Sequence, residues 1–312
     1  MKDNHLIHES QSIIEALKTI NSIKVDPMVL FVLNDKEQVI GTITDGDVRR
    51  ALIAGHKLDD KVGNVIKPHF NYLGYPDAHL VEHLIEQRAL KMQLVPMLDE
   101  QHHLVEIINL ETTKTKLPVD AVLMAGGKGE RLRPLTEKTP KPLLHVGKKA
   151  IIDHNVDRLI HYGVNHINVT VNYLGEQLEE HFARPHKGVH VCTVREPMFL
   201  GTIGSVKFVK EFYHDTVLLM NSDLFTNIDY EEFYLHFRKN NADISVAAVP
   251  YTVSVPYGIF DLEGRDIKGL IEKLIEEGKK VIRFPLNGTW IDIGSKAEYE
   301  KAQELVKHIE EI

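Results

Sequence analysis

The stretch that decides the fold is AVLMAGGKGERLRPLT, residues 121–136. It begins as an apolar run, stops at three glycines within four positions, and continues with two arginines, a proline and a threonine. An apolar run that ends in glycine is typical of a buried strand followed by a loop. Glycine backbone lets a phosphate or a base approach closely, and arginine binds phosphate oxygens in a bidentate fork. The stretch therefore predicts a strand followed by an anion-binding loop.

Strands and helices alternate along the chain after this loop. Helices are predicted at residues 150–162, 176–182 and 205–212. Strands are predicted at residues 119–125, 166–171, 189–194 and 216–220. This alternation predicts an α/β fold with a Rossmann-like, mostly parallel sheet and helices on both faces. Ligands of such sheets bind at the carboxyl ends of the strands, where the pattern places both the glycine loop and Asp223.

The part of the chain before residue 116 predicts a smaller α+β domain made of two similar units. Each unit has the order helix, strand, turn, strand, and the spacing near 70 residues marks an internal repeat. The polar, proline-terminated segment 112–118 is typical of a linker, so we expect domains at residues 1–115 and 116–312. Asp45 is the expected N-cap of the helix at residues 47–54.

Composition excludes several classes of protein. The chain has 312 residues, a net charge of −8 and a single cysteine, Cys192. No apolar run reaches the roughly 20 residues of a membrane helix, and the first residues lack the apolar core of a signal peptide. The acidic net charge disfavours nucleic-acid binding. We therefore expect a cytoplasmic protein with neither membrane nor nucleic-acid partners, in which the lone thiol is buried and inert.

The glycine loop fits neither of the two common phosphate-binding motifs. No Gly-Lys-Ser/Thr follows at the P-loop spacing, and Leu132 stands where the dinucleotide-binding motif needs its third glycine. The glycines alone are equally compatible with a plain turn beside a solvated basic patch. Lys141, between two prolines, favours a positioned charge and hence a phosphate site.

Four motifs in order carry a resemblance to a known family. GGKGERLRPLT at residues 126–136, followed by PKPL at residues 140–143, is similar to the first motif of the sugar-1-phosphate nucleotidyltransferases. Residues 196–204 resemble that family's loop beside the nucleobase, and residues 221–223 and 290–294 resemble its two metal-binding segments. The family condenses an NTP with a sugar 1-phosphate and releases pyrophosphate. The resemblance implies these two substrates and Mg²⁺ as the cofactor.

The resemblance also implies roles for individual residues. Asp223, as a catalytic residue, and Asp292 would hold Mg²⁺ between the phosphates. Arg131 would neutralise the leaving pyrophosphate, and Lys141 would neutralise the phosphates at the reacting centre. The residues expected to bind the nucleotide are Leu123, Ala125, Gly126, Gly127, Gly129, Glu196, Gly201 and Thr202.

A second resemblance concerns the front domain. GTITDGD at residues 41–47 is similar to the motif of a CBS domain, two of which form a tandem pair. Such pairs bind adenine nucleotides, which implies Thr44 and Asp47 as ligand residues, although helix capping explains both residues equally well. EIINLET at residues 106–112 departs from the motif, so at most one site per pair is expected. CBS pairs associate with one another, which implies a homodimer or a higher oligomer.

Two expectations follow for the reaction. CBS-fused relatives favour GTP and therefore a GDP-sugar product. The family's sugar-lining strand has no counterpart here, because helical spacing begins at residue 270 and leaves the domain shortened between about residues 268 and 270. The alternative is therefore a catalytically impaired, nucleotide-binding regulatory protein that uses the CBS pair as an adenine-nucleotide sensor.

Overall fold

The computed structural model describes residues 2–24, 27–198, 201, 203–248, 267–285 and 289–310. The chain divides into two compact units, Met1–Lys116 and Leu117–Ile312. The division falls inside the polar segment 112–118, whose composition is that of a linker.

The first unit contains two small sheets of the same topology. Its helices are α1 (Ile13–Ser22), α2 (Asp45–Ile53) and α3 (Leu80–Ala89). Its strands are β1 (Leu6–His8), β2 (Val29–Leu33), β3 (Val39–Thr44), β4 (Leu73–Gly74), β5 (Leu94–Leu98) and β6 (Leu104–Asn109). The strand orders are β1-β2-β3 and β4-β5-β6, and in each sheet the first pair is parallel and the second antiparallel. This symmetry confirms the predicted internal repeat.

The turns between the paired strands are equivalent in the two repeats. Asn34 Oδ1 accepts two backbone N–H groups of its own turn, at 2.9 and 3.0 Å. Asp99 Oδ1 does the same in the second repeat, at 2.9 and 2.8 Å. Because Asn and Asp side chains stabilise tight turns in this way, both hairpins are determined locally by the sequence.

Helix α2 begins two residues earlier than the sequence predicted, because Thr44 and not Asp45 is its N-cap. The Thr44 hydroxyl accepts the N–H of Asp47 at 3.3 Å, and the Asp47 carboxylate accepts the N–H of Thr44 at 2.9 Å. This reciprocal capping box satisfies two backbone donors at the helix start. Asp45 instead forms an ion pair with Arg49 at 2.6 Å on the exposed face of the helix.

The second unit is built around parallel strands. Its helices are α4 (Ile151–His161), α5 (Gly175–His181), α6 (Tyr230–Lys239), α7 (Ile267–Glu276) and α8 (Lys296–Glu310). Its strands are β7 (Asp120–Ala125), β8 (His145–Val146), β9 (Lys149–Ala150), β10 (Ile167–Val171), β11 (Val191–Arg195), β12 (Val217–Asn221), β13 (Leu224–Thr226), β14 (Ile244–Ala248), β15 (Val281–Pro285) and β16 (Trp290–Asp292). This order of elements is a mixed α/β fold.

Four of these strands form a parallel sheet in the order β11-β10-β7-β12. Ala121, Val122 and Leu123 in β7 are completely buried, as expected for an inner strand covered on both faces. The smaller pairs β8-β9 and β13-β16 are antiparallel, and β14-β15 is parallel. The predicted parallel sheet is therefore present. The glycine loop follows β7 at the carboxyl edge of this sheet.

Two sequence predictions for this unit were wrong. The helix predicted at residues 205–212 is a short 3-10 turn, Gly204–Phe208, because its β-branched and aromatic residues are weak helix formers. Cys192 is exposed and not buried; it lies in β11, the first strand in the order of the four-stranded sheet. The helix predicted after residue 269 is confirmed as α7, and Gly278 follows it with a positive φ of 73°. Over the described residues, no helix is long and apolar enough to cross a membrane.

Candidate active site

The glycine loop leaves the carboxyl end of β7 against a buried carboxylate. A Cβ at Gly126 would lie 2.6 Å from Glu196 Oε1 and 3.3 Å from the Cβ of Asn172, so only glycine fits there. Ala125, the last residue of β7, pairs with Val171 of β10. The Glu196 N–H donates to the carbonyl of that same Val171 at 2.9 Å, which brings the residue after β11 to the same sheet edge.

The rest of the loop is folded back by local hydrogen bonds. Gly129 has a φ of 61°, and a Cβ there would meet Thr136 at 3.0 Å and Lys141 at 3.2 Å. The buried Thr136 hydroxyl donates to the Gly129 carbonyl at 2.8 Å. Gly127 is exposed, and a Cβ added there would meet no heavy atom of the described residues within 4 Å, so its backbone is open to a ligand. The loop is therefore fixed at its two ends and open between them.

Asp223 lies beside this loop because β12 pairs with β7. Asn221 is opposite Met124, and both the N–H and the hydroxyl of Ser222 donate to the Met124 carbonyl, at 3.1 and 2.8 Å. Lys141 Nζ donates to Asp223 Oδ2, and the lysine is only 9% exposed. Asp223 Oδ1 is also buried, but it has no hydrogen-bond partner among the residues that the structure describes. One oxygen of this carboxylate is thus paired with a cation, and the other is free for a ligand.

Asp292 reaches the same place from the far end of the unit. It closes β16, where it pairs with Leu224 of β13, the residue after Asp223. Partial burial and the negative charge of Asp223 raise the pKa of Asp292, although Lys141 and Arg131 act in the opposite direction. The two carboxylates are therefore close enough to repel one another.

Arg131 completes the charged cluster. A Cβ at Gly294 would lie 3.1 Å from both terminal nitrogens of the Arg131 guanidinium, so the guanidinium packs directly on the Gly294 backbone. The Gly294 N–H donates in turn to Glu298 Oε2 at 3.1 Å, which ties the segment after β16 to the first turn of α8. This packing explains why glycine follows the second aspartate.

The carboxylate pair fits a divalent cation. A hard cation binds oxygen ligands, and the buried Asp223 Oδ1 has no hydrogen-bond partner within the described part of the chain, while Asp292 offers a second carboxyl beside it. Among the described residues, no group of three or more His, Cys, Asp or Glu side chains could hold a metal. Two carboxylates, with phosphate and water completing the coordination, are the usual protein contribution to a Mg²⁺ site.

Glu196 is the other unusual carboxyl. It is 6% exposed, and its buried Oε2 has no hydrogen-bond partner among the described residues. Burial raises the pKa of Glu196, while the hydroxyls of Thr170 and Ser205 lower it by a smaller amount. A buried acceptor at the edge of the glycine loop could accept a hydrogen bond from a ligand that carries a donor.

The remaining predicted residues are less informative. Leu123 is completely buried inside β7, so it can offer a ligand only backbone. Gly201 has a φ of 80°, a conformation suited to glycine. Thr202 lies outside the described residues, as do residues 251–266. The predicted shortening, between about residues 268 and 270, falls in the first turn of α7. Glu272 and Lys273 are exposed on α7, as the helical spacing indicated.

The front unit has a cleft of its own. Its volume is about 420 Å³, and Thr44, Phe70 and Lys91 are among the residues that line it. Asp47 is engaged elsewhere, because its carboxylate caps α2 and forms ion pairs with Arg50 and Lys67 at 2.5 and 3.1 Å. Thr44 is thus in a position to meet a ligand, whereas Asp47 is already fully paired.

Sequence reasoning missed two residues that shape the site. Asn172 follows β10, and its amide donates to the Glu196 carbonyl at 3.3 Å. Asn155 lies on the buried face of α4 and contacts the segment around Asp223. A polar residue four positions after Ile151 on an otherwise apolar helix face was the one signal that could have revealed Asn155.

Comparisons with known proteins agree with this geometry. Residues 120–273 match the model of the family described as "Nucleotidyl transferase". The chain is 29% identical over 172 residues to the mannose-1-phosphate guanylyltransferase catalytic subunit beta of Xenopus tropicalis, an alignment that covers 54% of this chain and 47% of the relative. It is 34% identical over 143 residues to the mannose-1-phosphate guanyltransferase of Yarrowia lipolytica, with 44% and 39% covered. The chain thus spans about half the length of these relatives, or less.

A solved structure agrees in fold. HddC from Yersinia pseudotuberculosis superimposes with a TM-score of 0.50 at 20% identity, covering 60% of this chain and 99% of HddC. At that identity the likeness concerns the fold alone. The second unit therefore matches the nucleotidyl transferase family model over residues 120–273, and its fold is similar to that of HddC.

Proposed function

We propose that the second unit transfers a nucleoside monophosphate from an NTP, with GTP preferred, to a sugar 1-phosphate and releases pyrophosphate. One observation carries the proposal. Arg131 and Lys141 converge with Asp223 and Asp292 at the sheet edge, beside a glycine loop whose middle is open. Two fixed cations and a carboxylate pair match a reaction between two anions.

The cations act by position and charge. Lys141 is buried and held between two prolines, so its ammonium offers a fixed positive charge to the phosphates at the reacting centre. Arg131 is held against Gly294 and neutralises the charge that develops on the departing pyrophosphate. The sugar phosphate oxygen is itself the nucleophile, so the reaction requires no nucleophilic side chain.

The carboxylates hold the cofactor. Asp223 and Asp292 would bind Mg²⁺, which supplies charge neutralisation and polarises the phosphoryl oxygens when bound. The free Asp223 Oδ1 and the mutual repulsion of the two carboxylates support this assignment.

Glu196 supports the preference for GTP. Guanine presents two adjacent donors, N1–H and the N2 amino group, which a carboxylate can accept together. Uracil and thymine present a single N–H between two carbonyls, which a carboxylate would repel. The buried Glu196 with its free Oε2 lies against Gly126 of the loop and therefore suits guanine best. Two relatives of the chain are named as guanyltransferases, which points in the same direction.

The test is pyrophosphate release with Mg²⁺, using GTP, UTP, dTTP, CTP and ATP against a panel of sugar 1-phosphates. Release with GTP and one hexose or hexosamine 1-phosphate is expected, and Asp223→Asn serves as the inactive control. Silence with every pair, while calorimetry still detects nucleotide binding, would reject the enzyme and favour the regulatory alternative.

We propose a separate role for the front unit as a CBS-type pair that binds an adenine nucleotide. The cleft of about 420 Å³ with Thr44 and the aromatic Phe70 in its lining supports this role. Calorimetry of the full chain with AMP, ADP and ATP is the test, and absence of heat with all three would reject it. We further propose that such pairs associate in a homodimer, which light scattering would detect.

A further inference from the structure

One buried polar side chain of the second unit lies next to the catalytic cluster. Asn155 projects from the middle of α4 and is only 1% exposed. Its neighbours on the same helix face, Ile151 and Leu159, are completely buried and apolar. Placing an amide in such surroundings costs free energy unless its hydrogen bonds are made, so the partners of Asn155 reveal its role.

Asn155 donates to the two carbonyls that flank Asp223. Its Nδ2 lies 3.1 Å from the Ser222 oxygen and 2.8 Å from the Leu224 oxygen. An amide nitrogen carries two hydrogens, so both can be used at once. The amide therefore binds the backbone on either side of the aspartate and makes no hydrogen bond to its carboxylate.

The same short segment is held from its other side by β7. Ser222 donates its N–H and its hydroxyl to the Met124 carbonyl, at 3.1 and 2.8 Å. The backbone at Asp223 is thus fixed between α4 and the central strand. Lys141 donates to Oδ2 of the aspartate, and no described residue makes a hydrogen bond to the buried Oδ1 that would orient it. The direction of Oδ1 consequently depends on the backbone that Asn155 holds.

We propose that Asn155 is a positioning residue for the divalent-cation site, acting by fixing the backbone of the metal-binding Asp223. The inference rests on the cation assignment made under the proposed function. Without the amide, two buried carbonyls lose their donor and the turn can rotate to find new partners. Removal of groups that orient metal ligands typically lowers metal affinity by 10–100-fold, and that is the expected effect here.

The test measures metal binding directly, without turnover. Binding of Mn²⁺ to the full-length protein, with and without GTP, is followed by the electron paramagnetic resonance signal of free Mn²⁺. Asn155→Leu keeps the approximate size of the side chain and removes both donors without adding charge, and Asn155→Ala removes the side chain. Val156→Ala is the matched control, since it truncates the adjacent, completely buried residue of α4 but removes no hydrogen-bond donor. The Tm of each variant is recorded.

The expected result is a loss of Mn²⁺ affinity of roughly 10–100-fold in both Asn155 variants and wild-type affinity in Val156→Ala at a comparable Tm. Wild-type Mn²⁺ affinity in whichever Asn155 variant remains folded would overturn the proposal. An equal loss in Val156→Ala would also overturn it, because the effect would then be general destabilisation. Asp223→Asn separates the two levels of inference. If it leaves Mn²⁺ binding unchanged, the cation assignment fails; if it abolishes binding but no substrate pair releases pyrophosphate, only the proposed reaction fails.

Discussion

Asp47 in the front unit and Asp223 in the second unit have comparable positions in their sheets, but the hydrogen bonding of their carboxylates differs. Each follows the carboxyl end of a strand, in a motif that attracts a functional interpretation. At Asp47 both oxygens are paired, with Thr44 on one side and with Arg50 and Lys67 on the other. At Asp223 one oxygen is paired with Lys141, and the other is buried and has no partner in the described segments of the chain.

The two sites differ in how far the surrounding residues satisfy the hydrogen bonds and the charge of each carboxylate. Burial alone would raise the pKa of Asp47, but hydrogen bonds from Thr44, Arg50 and Lys67 outweigh it and hold that pKa below its usual value. Near Asp223, Asp292 has a raised pKa, because burial and the neighbouring charge are not compensated. A carboxylate whose hydrogen bonds are complete stabilises the protein, whereas a carboxylate left incomplete is prepared for a ligand.

The largest expected effect comes from removing the incomplete carboxylate. Asp223→Asn keeps the shape of the side chain but removes the charge that would hold the cation, so Mg²⁺-dependent pyrophosphate release should fall by at least about 10²–10³-fold. The fold should persist, because within the described residues Asp223 makes one ion pair, with Lys141, and caps no helix. Asp215→Asn, on the exposed surface, is the control. Undiminished release would remove Asp223 from the site.

A smaller effect on substrate choice is expected from Glu196→Gln. Glutamine offers one acceptor and one donor, which suits the edge of uracil or thymine better than that of guanine. The preference for GTP over UTP should therefore fall by roughly 10-fold or more. Competition assays with the two nucleotides measure this ratio, with the exposed Glu180→Gln as the control. An unchanged ratio would remove Glu196 from base recognition.

The same Glu196→Gln substitution should raise stability while it lowers specificity. Burial disfavours the ionised form of Glu196 in the folded state and raises its pKa. Replacing it with a neutral side chain should raise the Tm of the second unit by about 2–4 °C at pH 7, which corresponds to roughly 1 kcal/mol. The gain should disappear below the ordinary glutamate pKa of 4.5, where the wild-type carboxyl is protonated both folded and unfolded. Calorimetric scans at pH 4 and pH 7 distinguish the two cases.

Much of the fold follows from local sequence, and less of the site does. Strands β3 (Val39–Thr44) and β5 (Leu94–Leu98) coincide with short apolar segments next to polar turns, in which Asn34 and Asp99 accept backbone N–H groups. The carboxyl-edge position of Asp223 follows from strand–helix alternation alone. The hydrogen bonds from Asn155 to the backbone around Asp223 could not be predicted, since these two carbonyls are 67 and 69 residues away in the chain. The contact of Glu196 with Gly126 likewise depends on how β11, β10 and β7 align.

The completed carboxylate, Asp47, should behave as a structural residue. Asp47→Asn weakens the capping box of α2 and both ion pairs, so the free energy of unfolding of the front unit should fall by about 1–2 kcal/mol. Asp45→Asn is a matched control on the same helix turn, because its ion pair with Arg49 is exposed and should contribute little. If Asp47→Asn were as stable as wild type but lost adenine-nucleotide binding, Asp47 would be a ligand residue and not a cap.

The smallest effect is expected at Asp157, a carboxylate of the second unit whose hydrogen bonds are complete, as those of Asp47 are in the front unit. Burial raises the pKa of Asp157, but hydrogen bonds from Lys149, His186 and Lys187 more than offset this and lower it from 3.8 to about 2. A lowered pKa means that Asp157 stabilises the fold above pH 3.8 and that this contribution is lost as the pH falls through about 2. Solvent screens these partners, so Asp157→Asn should cost only about 1 kcal/mol at pH 7. Denaturant titrations of both proteins at pH 7 and pH 3 measure the difference. A cost that grows on acidification would mean that Asp157 resembles Glu196 more than Asp47, and the distinction between completed and incomplete carboxylates would not hold in this unit.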